Sequence, residues 1–237
     1  MKDNHPIMSA QKVRRWTGVF GIAGIVVFLA AMPLYFLGPS AVLPQASGFT
    51  DFVTKTNVFI VTRTTLADPL IFCCFLVFMA GFRQLIREAN SDYEWISTFV
   101  FGAGLMFLAT QLVADALQGA AALDTFVGAN PLAVRALFEG SAPLFSACGL
   151  IPEAFFLAFA GYATFATKLL PKWAGLMAIV GAVIVFADAP TIYLGFSGLI
   201  YSGVAGFFAA IAEFWAPIWI LIASILLMQK REVKLRR

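Results

Sequence analysis

Long apolar stretches constrain this chain more than any motif within it. Each of six stretches holds roughly the 20 mostly apolar residues that a helix needs to cross the hydrocarbon core of a bilayer, and polar connections separate them. Backbone exposed to lipid must satisfy its own hydrogen bonds, which favours helices. The sequence therefore predicts an all-α fold, a polytopic transmembrane bundle of about six helices, near residues 16–37, 56–82, 95–118, 141–167, 173–195 and 204–228.

Composition agrees with a single membrane domain. Of the 237 residues, 61% are hydrophobic and only 12% are charged, and the mean hydropathy is +0.87. A soluble fold of this length has too little interior to bury so much apolar surface. We therefore predict one transmembrane domain over residues 1–237, with the lipid bilayer as its main partner.

The basic residues predict the orientation of the helices. If both termini are cytoplasmic, all of the 16 lysines and arginines except Lys55, Arg63 and Arg135 fall on the cytoplasmic side. The positive-inside rule requires this asymmetry. The sequence thus predicts a multi-pass protein of the plasma membrane, which in a bacterium is the inner membrane. Because these bases mark topology, nothing in the sequence indicates a nucleic-acid partner.

Residues that usually carry cofactors or covalent catalysis are scarce. The single histidine, His5, lies in the N-terminal tail, and the three cysteines lie in apolar runs without a Cys-x-x-Cys pair. The sequence contains no nucleotide-binding, serine-hydrolase or zinc-protease motif. We therefore predict no cofactor and lean against an enzyme. Carboxylates suit hard metal ions, but no spacing in the sequence demands one, so a metal site stays open.

The most informative residues are charges inside the apolar runs, where each costs about 2.5–3.5 kcal/mol on insertion scales. Such residues usually face a hydrated cavity or one another. One arginine cannot balance five carboxylates, so some acids must be protonated, be hydrated or bind a cation. We therefore predict an outward-facing acidic pocket that binds a substrate or ion through Asp68, Glu153, Asp188, Glu213, Asp115 and Arg63.

Helical periodicity indicates a polar face directed into the bundle. Asn57, Thr64 and Asp68 follow one stripe of an α-helix. Arg63 points about 140° away from Asp68 on the same α-helix, which favours pairing with an acid of a neighbouring helix. The same periodicity groups Gln111, Asp115 and Gln118 in the third helix, and Ser146, Gly149 and Glu153 in the fourth.

Prolines lie close to four of the five acids. Each proline removes a backbone N–H and frees the carbonyl four residues earlier, which bends the helix. Freed carbonyls beside carboxylates give the oxygen-rich lining typical of cation and substrate sites in transporters. The prolines are Pro69, Pro152, Pro190 and Pro217.

Small residues recur in the first and fifth helices. Such residues let two helix backbones approach closely within a membrane. We therefore predict close helix contacts at Gly18, Gly21, Gly24, Gly175, Ala178 and Gly181.

The order of these features resembles a family of bacterial membrane proteins, the domain of unknown function 4386 family. The resemblance runs from about Arg14 to Leu227. Its most specific stretch is Leu170-Pro171-Lys172-Trp173-Ala174-Gly175, which opens the fifth helix ahead of Asp188. The acids Asp68 and Glu213 also fit the family pattern. The resemblance implies a six-helix inner-membrane protein and implies no activity.

The sequence leaves three functions open. The first is a membrane protein that binds or transports a small cation, an amine or protons through the acidic pocket. The second is a non-catalytic accessory subunit that packs against a membrane-protein partner, either a larger complex or other copies of the chain. The third is an intramembrane enzyme that modifies lipid by carboxylate acid–base chemistry.

Overall fold

The fold is a bundle of helices, described from a computed structural model of the chain. The structure describes residues 10–37, 49–128, 130–190 and 203–229. Within these ranges the chain is helical apart from short turns and contains no strand. The predicted all-α fold is therefore confirmed.

Within the described ranges the helices form six rods in the predicted order. The second rod is α2, a π-helical segment and α3 in direct succession, and the fourth is α5 and α6, separated only by Ser146. The bounds are α1 Ala10–Leu37, α2 Phe49–Thr62, the π-helical segment Arg63–Ala67, α3 Asp68–Ala89, α4 Glu94–Thr125, α5 Pro131–Phe145, α6 Ala147–Thr167, α7 Lys172–Asp188 and α8 Gly203–Gln229.

The fourth rod differs most from the prediction. A helix was expected to start near residue 141, but α5 already starts at Pro131, and its first turn is capped by Asn130, whose side chain accepts a hydrogen bond from Leu132 N. Proline is well suited to the first helical position because its missing N–H has no partner there. The helix then breaks at Ser146, where φ is −92° and ψ is −117°. The predicted start was thus wrong, because residues 141–145 belong to α5.

Four helical runs of the described chain are long and apolar enough to cross a membrane, judged by length and composition. The four runs are Ala10–Tyr35, Val53–Ala89, Ser91–Thr125 and Pro131–Thr167.

Contacts between neighbouring rods define how the bundle is arranged. Helix α1 packs against α3 and α8, α4 packs against α3, α5 and α6, and α7 packs against α6 and α8.

Trp219 of α8 fills the centre of the apolar core. The rings of Phe78, Phe82 and Phe156 meet its indole edge to face, with centroids 5.6–6.3 Å away. Its N–H donates a hydrogen bond to the carbonyl of Ala174, at 3.0 Å, so the one polar atom of the indole is satisfied. One side chain therefore joins α3, α6, α7 and α8.

Glycines let α1 and α7 approach α8, as their sequence pattern predicted. A Cβ added to Gly21 would collide with the side chain of Ser224, and one added to Gly181 would collide with the ring of Trp215. Trp215 in turn donates a hydrogen bond to the carbonyl of Met177, at 3.0 Å. The close contact therefore fixes the position of the Trp215 ring as well as the distance between the backbones of α7 and α8.

We expect Gly181→Ala to destabilise the protein by about 1–3 kcal/mol, because the new methyl group overpacks against Trp215. Gly102→Ala is the matched control, since Gly102 lies in α4 with no neighbouring atom within 4 Å of an added Cβ. Thermal unfolding in detergent measures both variants. Equal midpoints for the two variants would contradict the packing role of Gly181.

Candidate functional site

Arg63 lies at the centre of a buried polar cluster. Its Nε is 3.4 Å from Oδ2 of Asp68, and its Nη2 is 3.4 Å from Oδ1 of Asp115. The guanidinium also donates a hydrogen bond to the side-chain oxygen of Gln118. The side chains of Arg63, Asp68 and Asp115 are only 13%, 4% and 1% exposed. The structure therefore brings three of the six predicted site residues together.

Two aromatic rings flank the guanidinium. The Cζ atom of Arg63 lies 5.1 Å from the ring centroid of Tyr35 and 6.0 Å from that of Phe145, within the range of cation–π attraction. The hydroxyl of Tyr35 donates a hydrogen bond to Oδ1 of Asp68. Because Tyr35 comes from α1 and Phe145 from α5, four of the six rods contribute to the cluster.

A second layer of hydrogen bonds orients Gln118. Its amide nitrogen donates to the hydroxyl of Ser141, at 3.1 Å, while its oxygen accepts from Arg63. Ser141 in turn donates to the carbonyl of Phe138, at 2.7 Å. This chain connects the guanidinium to the backbone of α5 and leaves Gln118 little freedom to turn.

The π-helical segment explains why Arg63 faces Asp68. The backbone N–H of Asp68 donates to the carbonyl of Arg63, five residues earlier. In an α-helix these two side chains would lie about 140° apart, but the wider π turn places residue i+5 above residue i. The prediction that Arg63 points away from Asp68 was therefore wrong. The predicted pairing with an acid of another helix is confirmed by Asp115.

Proline and threonine chemistry accounts for the irregular turn. Pro69 follows the segment and offers no N–H to the preceding turn, which loosens α-helical hydrogen bonding there. The hydroxyls of Thr64 and Thr65 donate to the carbonyls of Ile60 and Val61, at 2.9 and 2.6 Å. The accepting carbonyl groups belong to the last turn of α2, directly before the π-helical segment.

The polar stripe of the second rod faces into the bundle, as its periodicity predicted, and the helix that it meets there is α4. At one end the amide of Asn57 donates to the hydroxyl of Thr125, at 3.1 Å. In the middle, a Cβ added to Gly119 would lie 2.8 Å from Oγ1 of Thr64. At the other end Asp68 and Asp115 each lie 3.4 Å from the guanidinium of Arg63. The two helices thus keep one antiparallel register over the whole polar face.

The three other predicted site residues do not take part in the ion pairs described for Arg63. Glu153 is buried in α6, and Asp188 is buried at the end of α7. Glu213 belongs to α8, but its side chain lies outside the described residues. Their place in a binding site stays a prediction.

Tyr35 and Phe145 are parts of the cluster that sequence reasoning missed. Neither residue lies in a polar stripe, and the chain holds 25 phenylalanines and 5 tyrosines without a pattern that marks these two. Their position follows only from how α1 and α5 pack around the second rod.

The open question of a metal site has a partial answer. The described residues contain no group of three histidine, cysteine or acidic side chains that could hold an ion. Around Arg63, the two acidic side chains are those of Asp68 and Asp115, which both pair with the guanidinium. The chemistry of this cluster therefore rests on carboxyl groups and an arginine.

We expect Arg63→Gln to destabilise the protein by about 3–5 kcal/mol, because it leaves two buried carboxyl groups without their cation. Adding Asp115→Asn to that variant should restore part of the loss, since one uncompensated charge is removed. Arg135→Gln is the matched control, because Arg135 forms a half-exposed pair with Glu139, an i,i+4 pair that contributes at most about 1 kcal/mol. Unfolding midpoints that fall equally for Arg63→Gln and Arg135→Gln would contradict the buried ion-pair role.

We expect deletion of Leu66 to be tolerated, because it removes the extra residue of the π turn and leaves Arg63 and Asp68 on one face at α-helical spacing, i and i+4. Deletion of Val58 is the matched control. Both side chains are 58% exposed, but removing Val58 rotates the start of α2 by about 100° against α4. Folded yield and unfolding midpoint measure both. A Leu66 deletion as damaging as the Val58 deletion would contradict this role of the π turn.

Comparison with protein-family models, with curated proteins and with solved structures gives no match to the chain. The geometry around Arg63 is therefore the ground on which a function can be assigned.

Proposed function

We propose that the chain is a multi-pass integral protein of a plasma or bacterial inner membrane, with both termini in the cytoplasm. Four helical runs have the length and apolar composition for this. Large apolar side chains such as Val26, Leu66 and Met106 remain exposed along these runs. Water would solvate such surfaces poorly, whereas hydrocarbon solvates them well. The resemblance to the domain of unknown function 4386 family implies the same placement.

The distribution of charge supports the same orientation. Exposed basic side chains cluster at the ends that would be cytoplasmic: Arg15 near the start of α1, Arg87 near the end of α3, and Lys168 and Lys172 at the turn between α6 and α7. Bases at one face of the bundle are what the positive-inside rule requires.

Within this membrane protein, the function that the geometry supports best is binding of a proton or a small cation at the Arg63 cluster. The observation that carries it is the charge count: Asp68 and Asp115 share one guanidinium. With both acids ionised the cluster would bear a net negative charge where water hardly reaches it. An uncompensated buried charge costs several kcal/mol. A proton or a bound cation removes that cost.

The shared guanidinium favours the proton. Asp68 and Asp115 each lie 3.4 Å from Arg63, whose single charge balances only one ionised carboxyl group. A proton on the other carboxyl group makes it a neutral hydrogen-bond donor. A proton held there would also leave the remaining charge balanced by Arg63. Loss of that proton would add a second negative charge to the cluster. A bound small cation would balance that charge, or the charge would draw Arg63 closer to the aspartates.

The cluster also has the means to pass a change of charge to the rest of the bundle. Tyr35 of α1, Asp115 of α4 and Phe145 of α5 all contact Arg63 or Asp68 of the second rod. A shift of the guanidinium from one aspartate toward the other would change contacts in four rods at once. Coupling of this kind is what a transport step needs, so proton- or cation-linked transport is the finer form of the proposal.

A ladder of aromatic side chains favours the accessory subunit as a second candidate. Trp95 and Phe99 of α4 and Phe155 of α6 are exposed on one outer face. Phe159 stacks between them, with its ring centroid 4.3 Å from that of Phe99. Exposed aromatic rings in a row offer packing surface to another transmembrane helix.

A thermal-shift titration of the purified protein separates the two functions. We expect the unfolding midpoint to depend on pH or on the concentration of Na⁺, K⁺ or a small amine. A ligand at ten times its dissociation constant adds about 1.4 kcal/mol to the free energy of unfolding. For a chain of this size that raises the unfolding midpoint by roughly 3–6 °C. The shift should vanish in Asp68→Asn and in Asp115→Asn, because each removes one of the two carboxylates.

Asp92→Asn is the matched control, since Asp92 lies at the exposed turn before α4. It should keep the full response. A midpoint that responds to none of these conditions in the unaltered protein, together with co-purification of a membrane partner, would replace ion binding by the accessory-subunit function.

A further inference from the structure

A cavity of about 330 Å³ lies at the end of the bundle away from Arg63, between the turn that joins α6 to α7 and the last turn of α8. It is open to the surface over most of its extent rather than enclosed. The mouth carries polar side chains and the floor is apolar, because leucines from both segments lie beneath it. The lining residues are Lys168, Leu169, Leu170, Pro171, Leu226 and Gln229.

The backbone at Lys168 adopts a conformation that is unusual for a residue with a side chain. Lys168 ends α6 in the left-handed conformation, with φ of 54° and ψ of 26°, and it is the only non-glycine residue with positive φ in the described part of the chain. Glycine usually occupies this position after a helix because other residues are strained there. A strained residue at the mouth of a cavity is grounds for a functional hypothesis. The side chain of Lys168 is therefore held at this point in spite of a backbone cost.

Positive charge accumulates around the same mouth. Lys172 starts α7 four residues later and is exposed. None of the described residues that line the cavity is acidic. The electrostatics thus favour an anion, and the apolar floor favours one attached to a hydrocarbon chain.

We propose that this cavity binds the headgroup of an anionic phospholipid from the cytoplasmic leaflet, with Lys168 on the phosphate and the leucine floor against the start of an acyl chain. The proposal rests on the membrane placement proposed above, which puts the turn between α6 and α7 at the cytoplasmic surface. Anionic lipids concentrate in that leaflet, and basic pockets between helices on that side are suited to hold their headgroups.

The test compares lipids on the purified full-length protein. Phosphatidylglycerol or phosphatidylcholine with identical acyl chains is titrated into detergent-solubilised protein, and the unfolding midpoint gives an apparent affinity. We expect phosphatidylglycerol to bind more tightly. Lys168→Gly should weaken that binding about fivefold, the factor that corresponds to ~1 kcal/mol for one lysine near an anionic surface, while Lys168→Arg retains it.

Lys168→Gly relieves the left-handed strain, so it should fold at least as well as the unaltered protein and remain testable. A purely structural role for Lys168 at the end of α6 would change the midpoint without lipid and leave the lipid affinity unchanged. Arg135→Gln, at the opposite end of the bundle, is the control for loss of any positive charge and should leave the affinity unchanged. Inorganic phosphate, added without lipid, should shift the midpoint by much less than phosphatidylglycerol.

Three outcomes would overturn the proposal: equal affinity for the two lipids, unchanged phosphatidylglycerol affinity in Lys168→Gly, or inorganic phosphate matching the lipid. A chain that is not embedded in a membrane would respond to neither lipid, which also separates failure of the membrane placement from failure of the headgroup site. Failure of ion binding at Arg63 is read independently, because the Asp68→Asn and Asp115→Asn variants keep Lys168 intact.

Discussion

One guanidinium group shared by two carboxyl groups determines how the rods of this protein fit together. Arg63 and Asp68 belong to the second rod and Asp115 to α4, and all three side chains are almost shielded from water. Charges in such a place are tolerated only while they remain paired and hydrogen-bonded. A slip of α4 by one turn would move Asp115 by about 5.4 Å and separate it from its cation. The ion pairs therefore fix the register of the two helices.

The neighbouring residues adapt to that register. Where α4 passes the π turn it carries Gly119, which leaves space for the side chain of Thr64. Where α4 passes the start of α6, Gly149 lies against the amide of Gln111 and has no room for a larger side chain. Small residues thus lie where the backbones come closest, and polar residues lie where they can reach across. This combination replaces the hydrophobic driving force that lipid would remove.

The fold followed from the sequence largely because it depends on a strong, repeated signal. Six apolar stretches and the bases at their ends were sufficient to predict six rods and their order. The ends of the helices were predicted less well, since hydropathy marks the apolar part of a helix rather than its full length. For this reason α4 continues to Thr125 and α1 starts at Ala10, both beyond the apolar runs. The break at Ser146 falls inside one apolar run, so hydropathy does not mark it.

The cluster around Arg63 was predicted only in part, because the prediction assumed an α-helix where the chain forms a π turn. Periodicity at 3.6 residues correctly placed Asn57, Thr64 and Asp68 toward the bundle, and the charge argument named three residues that meet in the structure, Arg63, Asp68 and Asp115. The periodicity separated Arg63 from Asp68 because a period of 3.6 residues assumes an unbroken α-helix. The π turn lies directly before Pro69 and contains two threonines whose hydroxyls bond to the backbone, a combination without a simple sequence rule. Tyr35 arrives from another rod, so its contact with Asp68 is tertiary.

The two proposed binding sites lie at opposite ends of one helix. Phe145, directly before the break that starts α6, contacts Arg63, and Lys168 ends α6. A helix of 21 residues spans about 30 Å, so a headgroup at one end and a proton or cation at the other do not touch. Sites that share no contact generally contribute independently to stability. Coupling between them would require α6 to shift as a rigid element relative to Arg63. The break at Ser146 lies at the one point where such a shift would alter the position of Phe145 against the guanidinium.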